Sequence, residues 1–574
     1  MNNTEVAQVF EDIADLLEIK GEKVFKVIAY RRGAEAIRNR GRDINAIWEE
    51  GKLQEIPGVG KAIAEKTDEL LSSGKLEYYE KLKSEIPIGL LDVLKVGDVG
   101  PKKAARFWKE LDITSVEELE AAAKSGELQT LSGMGVKSEA RILESIEALK
   151  RRQTDRMSIG VALPIADQLL SQLRKHPKVK AAETAGSLRR MRETVGDLDL
   201  LVSTDHPEQV MQAFVELPIV GRVRSKGEVK TSVELIDGVR VQVWTHPSER
   251  FGTALQYATG SKDHNVRLRE LALSQGISLS DQAFKLEDGG EITIASEKEV
   301  YKKLGLPWIA PEMREDRGEI QAAQRSELPK LLEVKDLKGE LHSHTNWSDG
   351  KNTIDEMVAA AIDEGHKYLA ITDHSKSLGV ANGLTVKRVA EQRKAIAKAR
   401  KGLMNDFVLL HGTEMEILAD GSLDYPDEVL AEFDLVIASL HTSLRQPREQ
   451  ITKRMMNAIK NPHIDIIAHP SGRLIGKREP ADLDMDQILE ATLEHGVILE
   501  INSNPERLDL NDIYARRAAE MGIPLAINTD AHRPRHLAFR AFGVGVARRA
   551  WVTSKQVVNC WTAARIQKWF KARG

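Results

Sequence analysis

The hydrophobic rhythm of the chain changes twice. In the first third, apolar residues recur at helical spacing with acids between them, as in "MNNTEVAQVFEDIADLLEIKG", which predicts an amphipathic helix and not a signal peptide. Between 155 and 315, strand-like runs ("GDLDLLVS", "TSVELI", "VRVQVW") stand among helical stretches, and "IDG" (236–238) reads as a hairpin turn. From about residue 337 to the end, short apolar runs ("YLAIT", "FVLL", "LVIAS", "IDIIA", "VILEI", "PLAIN") alternate with amphipathic helices. That alternation predicts a parallel α/β barrel. The charged stretch before it, 314–339, is thin in apolar residues and predicts a linker or an exposed helix.

Three short segments of the helical third resemble one another: "IPGVGKAIAEK" (56–66), "VGDVGPKKAAR" (96–106) and "LSGMGVKSEAR" (131–141). Each sets a tight turn before a helix whose first turns carry Lys or Arg, so unpaired backbone N–H groups face outward beside cations. Gly58, Gly60 and Lys61 in the first, and Gly133 and Gly135 in the third, are candidate DNA-backbone contacts without base readout. The middle copy has Asp98 where the first glycine would stand, so its role is structural.

At 574 residues the chain predicts about four domains, on a prior of roughly 150 residues each. Its composition, 30% charged and 41% hydrophobic, is that of a globular protein, and no uncharged apolar run is long enough for a bilayer. Cys560 is the single cysteine, which excludes disulfides and thiolate metal clusters and fits a cytoplasmic setting. A net charge of −4 leaves polyanion binding to local basic patches.

Metals must therefore sit on histidines and carboxylates. "GELHSHTNWSDG" offers His342 and His344, two apart on one strand face, and Asp349. His374, Glu414, His441, His469, Asp530 and His532 follow, each at or just beyond an apolar run. Strand ends of such a barrel converge on one face, so these residues meet in one pocket. Nine imidazole and carboxylate ligands exceed the needs of one ion, which implies two or three of zinc, manganese or iron, with Glu414 as a bridge. Such a cluster turns water into hydroxide and neutralises phosphoryl oxygens, which suits phosphoester hydrolysis. Upstream, "VGDLDLLVS" (195–203) puts Asp197 and Asp199 on one face of a strand, enough to grip one divalent ion but short of a two-metal site.

The set "HSH", "SDG", "TDH", "GTEMEI", "SLH", "AHPSGRLIG" and "NTDAH" resembles the polymerase-and-histidinol-phosphatase (PHP) domain, whose trinuclear site would use the same nine residues. The whole chain is similar to bacterial X-family DNA polymerases, in which that domain is a manganese-dependent 3′–5′ exonuclease. The resemblance implies helix-hairpin-helix domains, a nucleotidyltransferase palm with thumb, and a (β/α)7 TIM-like barrel. The expected boundaries are a lyase-like DNA-binding domain at 1–85, fingers at 86–152, palm at 153–240, thumb at 241–315, linker at 316–336 and barrel at 337–574.

By the same resemblance, "AGSLRRMRETVGDLDLLVS" is the palm signature. Gly186, Ser187 and Arg190 would hold a dNTP, and Asp197 and Asp199 would hold Mg2+ or Mn2+. "LQYATGSKDHNVRLR" (255–269) would close over the nucleotide through Tyr257, Gly260, Asn265 and Arg269. The family's third aspartate falls at Gln242, counted from the Asp237-Gly238 turn, while Trp244 and Ala258 also depart from the pattern. A neutral amide does not balance a second cation, so weak or absent polymerisation is expected. Glu234 and Asp237 precede the strand at the wrong register to substitute. "EKVFKVIAYRRGAEAIRNRG" resembles the lyase domain of polymerase β relatives, with Lys66 at the Schiff-base position and Tyr30 also matching; an exposed helix lysine that meets phosphate is the alternative.

The expected protein is thus a cytoplasmic, monomeric enzyme of base-excision-type DNA repair, acting on gapped or primer-template DNA and carrying Mn2+ or Zn2+ in its barrel. Arg473 and Arg507 are either contacts to the scissile phosphate or strand-end salt-bridge partners. Two rivals are a small-molecule phosphatase of the histidinol-phosphate type and a non-catalytic DNA-binding scaffold.

Overall fold

The computed structural model describes residues 1–574 apart from 2, 39, 41, 98, 153–155, 404, 405, 573 and 574. The chain forms two compact units, Met1–Asp155 and Arg156–Gly574.

Among the described residues the first unit is helical throughout. Phe10, Leu16 and Leu17 of the helix Asn3–Lys20 pack with Ile37 of Val24–Arg38, as the helical spacing of apolar positions requires. The three glycine turns open the helices Lys61–Ser73, Pro101–Leu111 and Val136–Arg152. Gly58 and Gly133 hold φ of +95° and +77°, which a side chain would oppose, and Gly60 and Gly100 stand extended just before their helices. Asp98, the departure in the middle turn, lies outside the described residues.

The second unit opens with a five-stranded sheet in the order Ala181–Thr184, Leu198–Ser203, Arg240–His246, Lys230–Leu235, Val220–Lys226. Leu198–Ser203 and Arg240–His246 run parallel with Asp199 beside Gln242. Asp197 stands just before its strand and not within it. A small antiparallel sheet, Ile277–Leu279, Phe284–Leu286 and Glu291–Ile292, follows in the thumb region.

Seven parallel strands then come in sequence order: Gly339–Glu340, Tyr368–Ile371, Val408–Glu416, Leu435–Ser439, Ile466–Ile467, Ile498–Asn502 and Leu525–Asn528. They are buried almost throughout, which is why they read as apolar runs. Beyond the strand ends Ser343 bridges Ala531 in parallel, and His344 N–H donates to Ala531 O at 2.9 Å, which draws the first and last strands into a barrel. His342 and His344 therefore lie past a two-residue strand, on the closing segment, and not on a strand face. Ile566 and Phe570 of the helix Ala563–Lys571 pack with Leu341, Tyr368 and Ile498 in one core.

The stretch 314–339 is neither a linker nor exposed along its first half. Arg314 is fully buried, donating to Ile309 O and Glu297; Glu319 accepts from the buried His264 at 2.7 Å; Arg317 pairs with Asp512 at 2.8 Å. Its charges pair with partners distant in sequence, so charge density there marks an internal ion network. Arg549 extends that network from the barrel, donating to Arg190 O at 2.8 Å, to Glu315 at 2.8 Å and to Asp512 at 2.9 Å. Palm, thumb and barrel share these buried pairs.

Candidate functional site

The barrel's nine candidate ligands converge on one face. Their donor atoms form three sets, each within 4.8 Å: His344, Asp349, His374 and His532; His342, His344 and Asp530; His374, Glu414 and His441. His344 and His374 belong to two sets each, so the sets share walls. His469 stands outside the three and reaches Glu414 Oε1 through Nε2 at 2.9 Å. Glu414 lies at the middle, with His374 Nδ1 at 2.9 Å, His441 Nε2 at 3.3 Å and His342 Nε2 at 3.4 Å.

Apart from the His469–Glu414 hydrogen bond, much of the cluster's polar surface is left unsatisfied. His342 Nε2, both nitrogens of His344, His374 Nδ1 and Glu414 Oε2 are buried without a partner among the described residues. Orphaned lone pairs are costly in an interior, and their common direction fits divalent ions. The donor set, imidazole and carboxylate with no thiolate, suits zinc or manganese. Burial opposes ionisation of Glu414, yet the charges of His374, His441 and His342 hold it well below the usual carboxylate range.

Sequence reasoning missed the groups that aim these ligands. Glu500 accepts from His342 Nδ1 at 2.8 Å and from His469 N–H at 2.8 Å. Glu416 pairs with His441 Nδ1 at 2.8 Å. Each carboxylate thereby turns the opposite ring nitrogen, Nε2, toward the cluster. Glu340 accepts from His342 N–H at 2.9 Å and from Thr529; burial pushes it up to about 7. Asp373 accepts from Thr345 N–H at 2.8 Å and from Ser348, fixing the segment that carries Asp349. The available signal was an acid inside a strand-like run, alone in "VILEI" and two residues after Glu414 in "TEMEI".

In the palm, Gly186 holds φ of +58°, and a Cβ there would meet Asp199 Oδ2 at 2.4 Å. Gln242 Nε2 donates to Asp197 Oδ2 at 2.7 Å, so an amide donor stands beside the acidic pair at the position where the family resemblance implies a third carboxylate. Asp199 is pushed up to about 6 by burial and by Asp197, against the pull of Lys230, Arg190 and the Trp244 indole. Lys230 Nζ lies 4.2 Å from the Trp244 ring centre. Glu234 is paired with Arg224, and Asp237 lies exposed in the hairpin turn, so neither reaches the pair. Ser187 is half-buried beside Gly186.

Arg190 is engaged internally, by Glu315 at 3.1 Å and by Thr259 O, and a Cβ on Gly260 would meet its Nη1 at 3.0 Å. Tyr257, Asn265 and Arg269 cluster: Asn265 Nδ2 donates to Tyr257 O at 2.8 Å, and the Arg269 guanidinium lies 5.1 Å from the Tyr257 ring centre.

In the helical unit, Lys66 and Lys26 both lie over the Tyr78 ring, at 5.1 and 5.2 Å, and Tyr78 stacks on Tyr30 at 6.2 Å. Lys61 is exposed at the first turn of its helix. Among the described residues no helix is long and apolar enough to cross a membrane.

Residues 1–76 match a helix-hairpin-helix domain, 90–148 a SAM-like helix-hairpin-helix tandem, 254–315 a DNA polymerase beta thumb and 340–504 a PHP domain. Asp530 and His532 fall past the end of that last match. A Bacillus subtilis (strain 168) protein named DNA polymerase/3′-5′ exonuclease PolX is 41% identical over 577 residues, covering 100% of both chains. DNA polymerase lambda of Rattus norvegicus is 24% identical over 54% of this chain and 56% of its own. A probable phosphatase of Thermoanaerobacter sp. (strain X514) is 30% identical over 40% of this chain and 94% of its own. Likeness at that level along the full length, with thumb and PHP matches on the regions just described, shows that the chain belongs to the bacterial X-family DNA polymerases that carry a PHP domain.

Proposed function

We propose that the chain is a DNA-repair enzyme whose barrel hydrolyses DNA from the 3′ end and whose palm, lacking a third carboxylate, extends primers weakly or not at all. The observation that carries the first half is the set of buried, unpartnered nitrogens and oxygens on His342, His344, His374 and Glu414. The second half rests on the Gln242 amide at Asp197.

The nine barrel residues would hold two or three ions, Mn2+ or Zn2+, while Asp197 and Asp199 would hold a single Mg2+ or Mn2+. Divalent ions bound in the barrel supply acidity to a water and positive charge beside phosphoryl oxygens. Around them, Glu500 and Glu416 fix the His342 and His441 rings, and Asp349, Glu414 and Asp530 balance charge. In the reaction a water oxygen bonds to phosphorus and the bond to the 3′ oxygen breaks. That oxygen takes a proton, and a nucleoside 5′-monophosphate leaves.

The substrates are gapped or primer-template DNA, held without base readout through the turns at Gly58, Gly60, Lys61, Gly133 and Gly135. Any dNTP would meet Gly186, Ser187, Tyr257, Gly260, Asn265 and Arg269, with Arg190 bracing the segment. Lys66, beside Lys26 and Tyr78, is a candidate 5′-deoxyribose phosphate lyase nucleophile. The expected state is a cytoplasmic monomer. The phosphatase likeness covers 40% of the chain, and that reading would leave the helical unit, palm and thumb without a task.

The test is denaturing electrophoresis of a labelled primer on one-nucleotide-gapped DNA with four dNTPs and Mn2+, comparing wild type with His342→Ala. Shortening that needs His342, with no lengthening by either protein, supports the proposal. Lengthening as fast as the shortening, clearest in the variant, would overturn the reading of Gln242; an unchanged primer in all conditions would favour a scaffold.

A further inference from the structure

Two arginines stand at the mouth of the barrel, and their hydrogen bonds separate their roles. Arg473 is committed: Nε donates to Arg507 O at 2.8 Å, Nη2 donates to Leu508 O, and Nη2 also reaches Glu193 of the palm at 2.7 Å. Its side chain staples the segment after the strand Ile498–Asn502 and ties it to the palm. These bonds occupy the Nε and Nη2 donors and leave only Nη1 for a substrate anion.

Arg507 is the opposite case. Its side chain is only 14% exposed, and Nη1 is buried with no hydrogen-bond partner among the described residues. The carboxylate within ion-pair distance of it is Asp530, whose Oδ2 lies 3.6 Å from Nε, beyond hydrogen-bond length. Asp530 Oδ1 meanwhile faces His344 Nε2 at 3.1 Å and His342 Nε2 at 3.6 Å. The carboxylate thus stands between the guanidinium and the metal cluster. Arg478, whose Nε is taken by Gly472 O at 2.9 Å, and Arg445 are near enough for their charges to act on one another, and Arg507 acts on Arg478 too. Three like charges gathered at one lip, one with an unused donor pointing inward, describe a place for an anion.

We propose that Arg507 is a catalytic residue of the barrel that binds the phosphate of the 3′-terminal phosphodiester, with Arg473 as the positioning residue that holds it. The inference rests on the proposed hydrolysis by the barrel. The ligand class is a phosphate ester anion, met by the planar fork of a guanidinium one carboxylate away from the ions.

The experiment uses the full chain with Mn2+: single-turnover shortening of a labelled primer by wild type, Arg507→Lys and Arg507→Ala. It also follows metal content per chain, inhibition by deoxyadenosine 5′-monophosphate and rescue by guanidinium ion. Loss of one preorganised donor predicts a fall in rate of roughly 100-fold for Arg507→Ala, with metal content unchanged. Inhibition by the monophosphate should weaken in parallel, and millimolar guanidinium should restore part of the rate. A merely structural arginine would give neither rescue nor a selective loss of monophosphate inhibition.

Wild type that fails to shorten the primer would sink the underlying hydrolysis reading. Wild type that works, with Arg507→Ala within about threefold of it, would overturn the Arg507 assignment alone. So would an Arg507→Ala protein whose loss of rate tracks a loss of metal. Arg507→Lys, which keeps the charge and loses the fork, serves if the alanine variant does not fold.

Discussion

Gln242 donates its amide N–H to Asp197 at 2.7 Å from the strand that runs beside Asp199. Asp197 thereby faces an internal neutral donor, where a two-metal site needs another negative group. Gln242→Asp is expected to restore that group. In a His342→Ala background, primer extension with Mg2+ should rise on the order of 100-fold, read by gel extension. Three carboxylates without metal repel, so the variant should lose about 1 kcal/mol in EDTA and regain it with Mg2+, read as a thermal midpoint that responds to the ion. Extension that stays at wild-type level would place the deficit elsewhere in the palm.

Gly186 presses its backbone against Asp199 at φ of +58°, and an added Cβ would come within 2.4 Å of the carboxylate oxygen. Gly186→Ala should therefore cost about 2 kcal/mol of stability and displace Asp199. Binding of a fluorescent dNTP to the palm should fall by an order of magnitude or more, on the order of 10-fold at least. Primer shortening by the barrel should be untouched, because the barrel's ligands come from other strands. A variant with normal dNTP affinity would show that Asp199 is not held by this contact.

The parts of this architecture that were legible in the sequence share a physical reason. Strands of a parallel barrel are buried on both faces, so runs such as "LVIAS" and "VILEI" announce themselves, and ligands at strand ends fall at predictable places. What stayed hidden depends on long-range pairing. Arg317 meets Asp512 across 195 positions, and Arg549 meets Arg190 across 359. Read locally, such charges look solvated, and 314–339 looked like a linker for that reason. Glu416 and Glu500 were hidden differently, as carboxylates pointing at ligands and not at metal. The use of Arg190 by Glu315 and Thr259 could not be seen in a motif read as phosphate contact.

Glu500 and Glu416 offer a test of how the rings are aimed. Each accepts from the Nδ1 of a candidate ligand, His342 or His441, at 2.8 Å. Glu500→Gln and Glu416→Gln should each weaken binding of the ion served by that ring by about 10- to 100-fold. Metal content measured during dialysis against graded Mn2+ should show loss of one ion with the others retained. Full removal of metal by chelation should abolish primer shortening and lower the thermal midpoint, since ligands that face one another unfilled repel or stay unsatisfied. Uniform loss of all ions in a single-residue variant would mean that the cluster binds cooperatively, and that the rings are not aimed independently.

The buried ion network that joins palm, thumb and barrel carries a pH dependence with a definite sign. Burial opposes ionisation of Glu315, but Arg549, Arg190 and Arg192 outweigh it and hold its carboxyl down at about 2, below the ordinary 4.5. A carboxylate depressed on folding stabilises the native state fully above its unfolded value and loses that contribution as pH falls toward the folded one. The window is therefore between 4.5 and about 2, and the contribution at neutral pH is on the order of 3 kcal/mol. Glu315→Gln should be less stable than wild type at pH 7, because it leaves Arg549 and Arg190 facing a neutral amide, and the gap should close as pH falls through that window. Urea midpoints for both proteins from pH 7 to 3 would measure it. Equal pH slopes for the two would mean that Arg549 and Arg190 draw their compensation from Asp512 and the Thr259 carbonyl, and that Glu315 is dispensable to the junction.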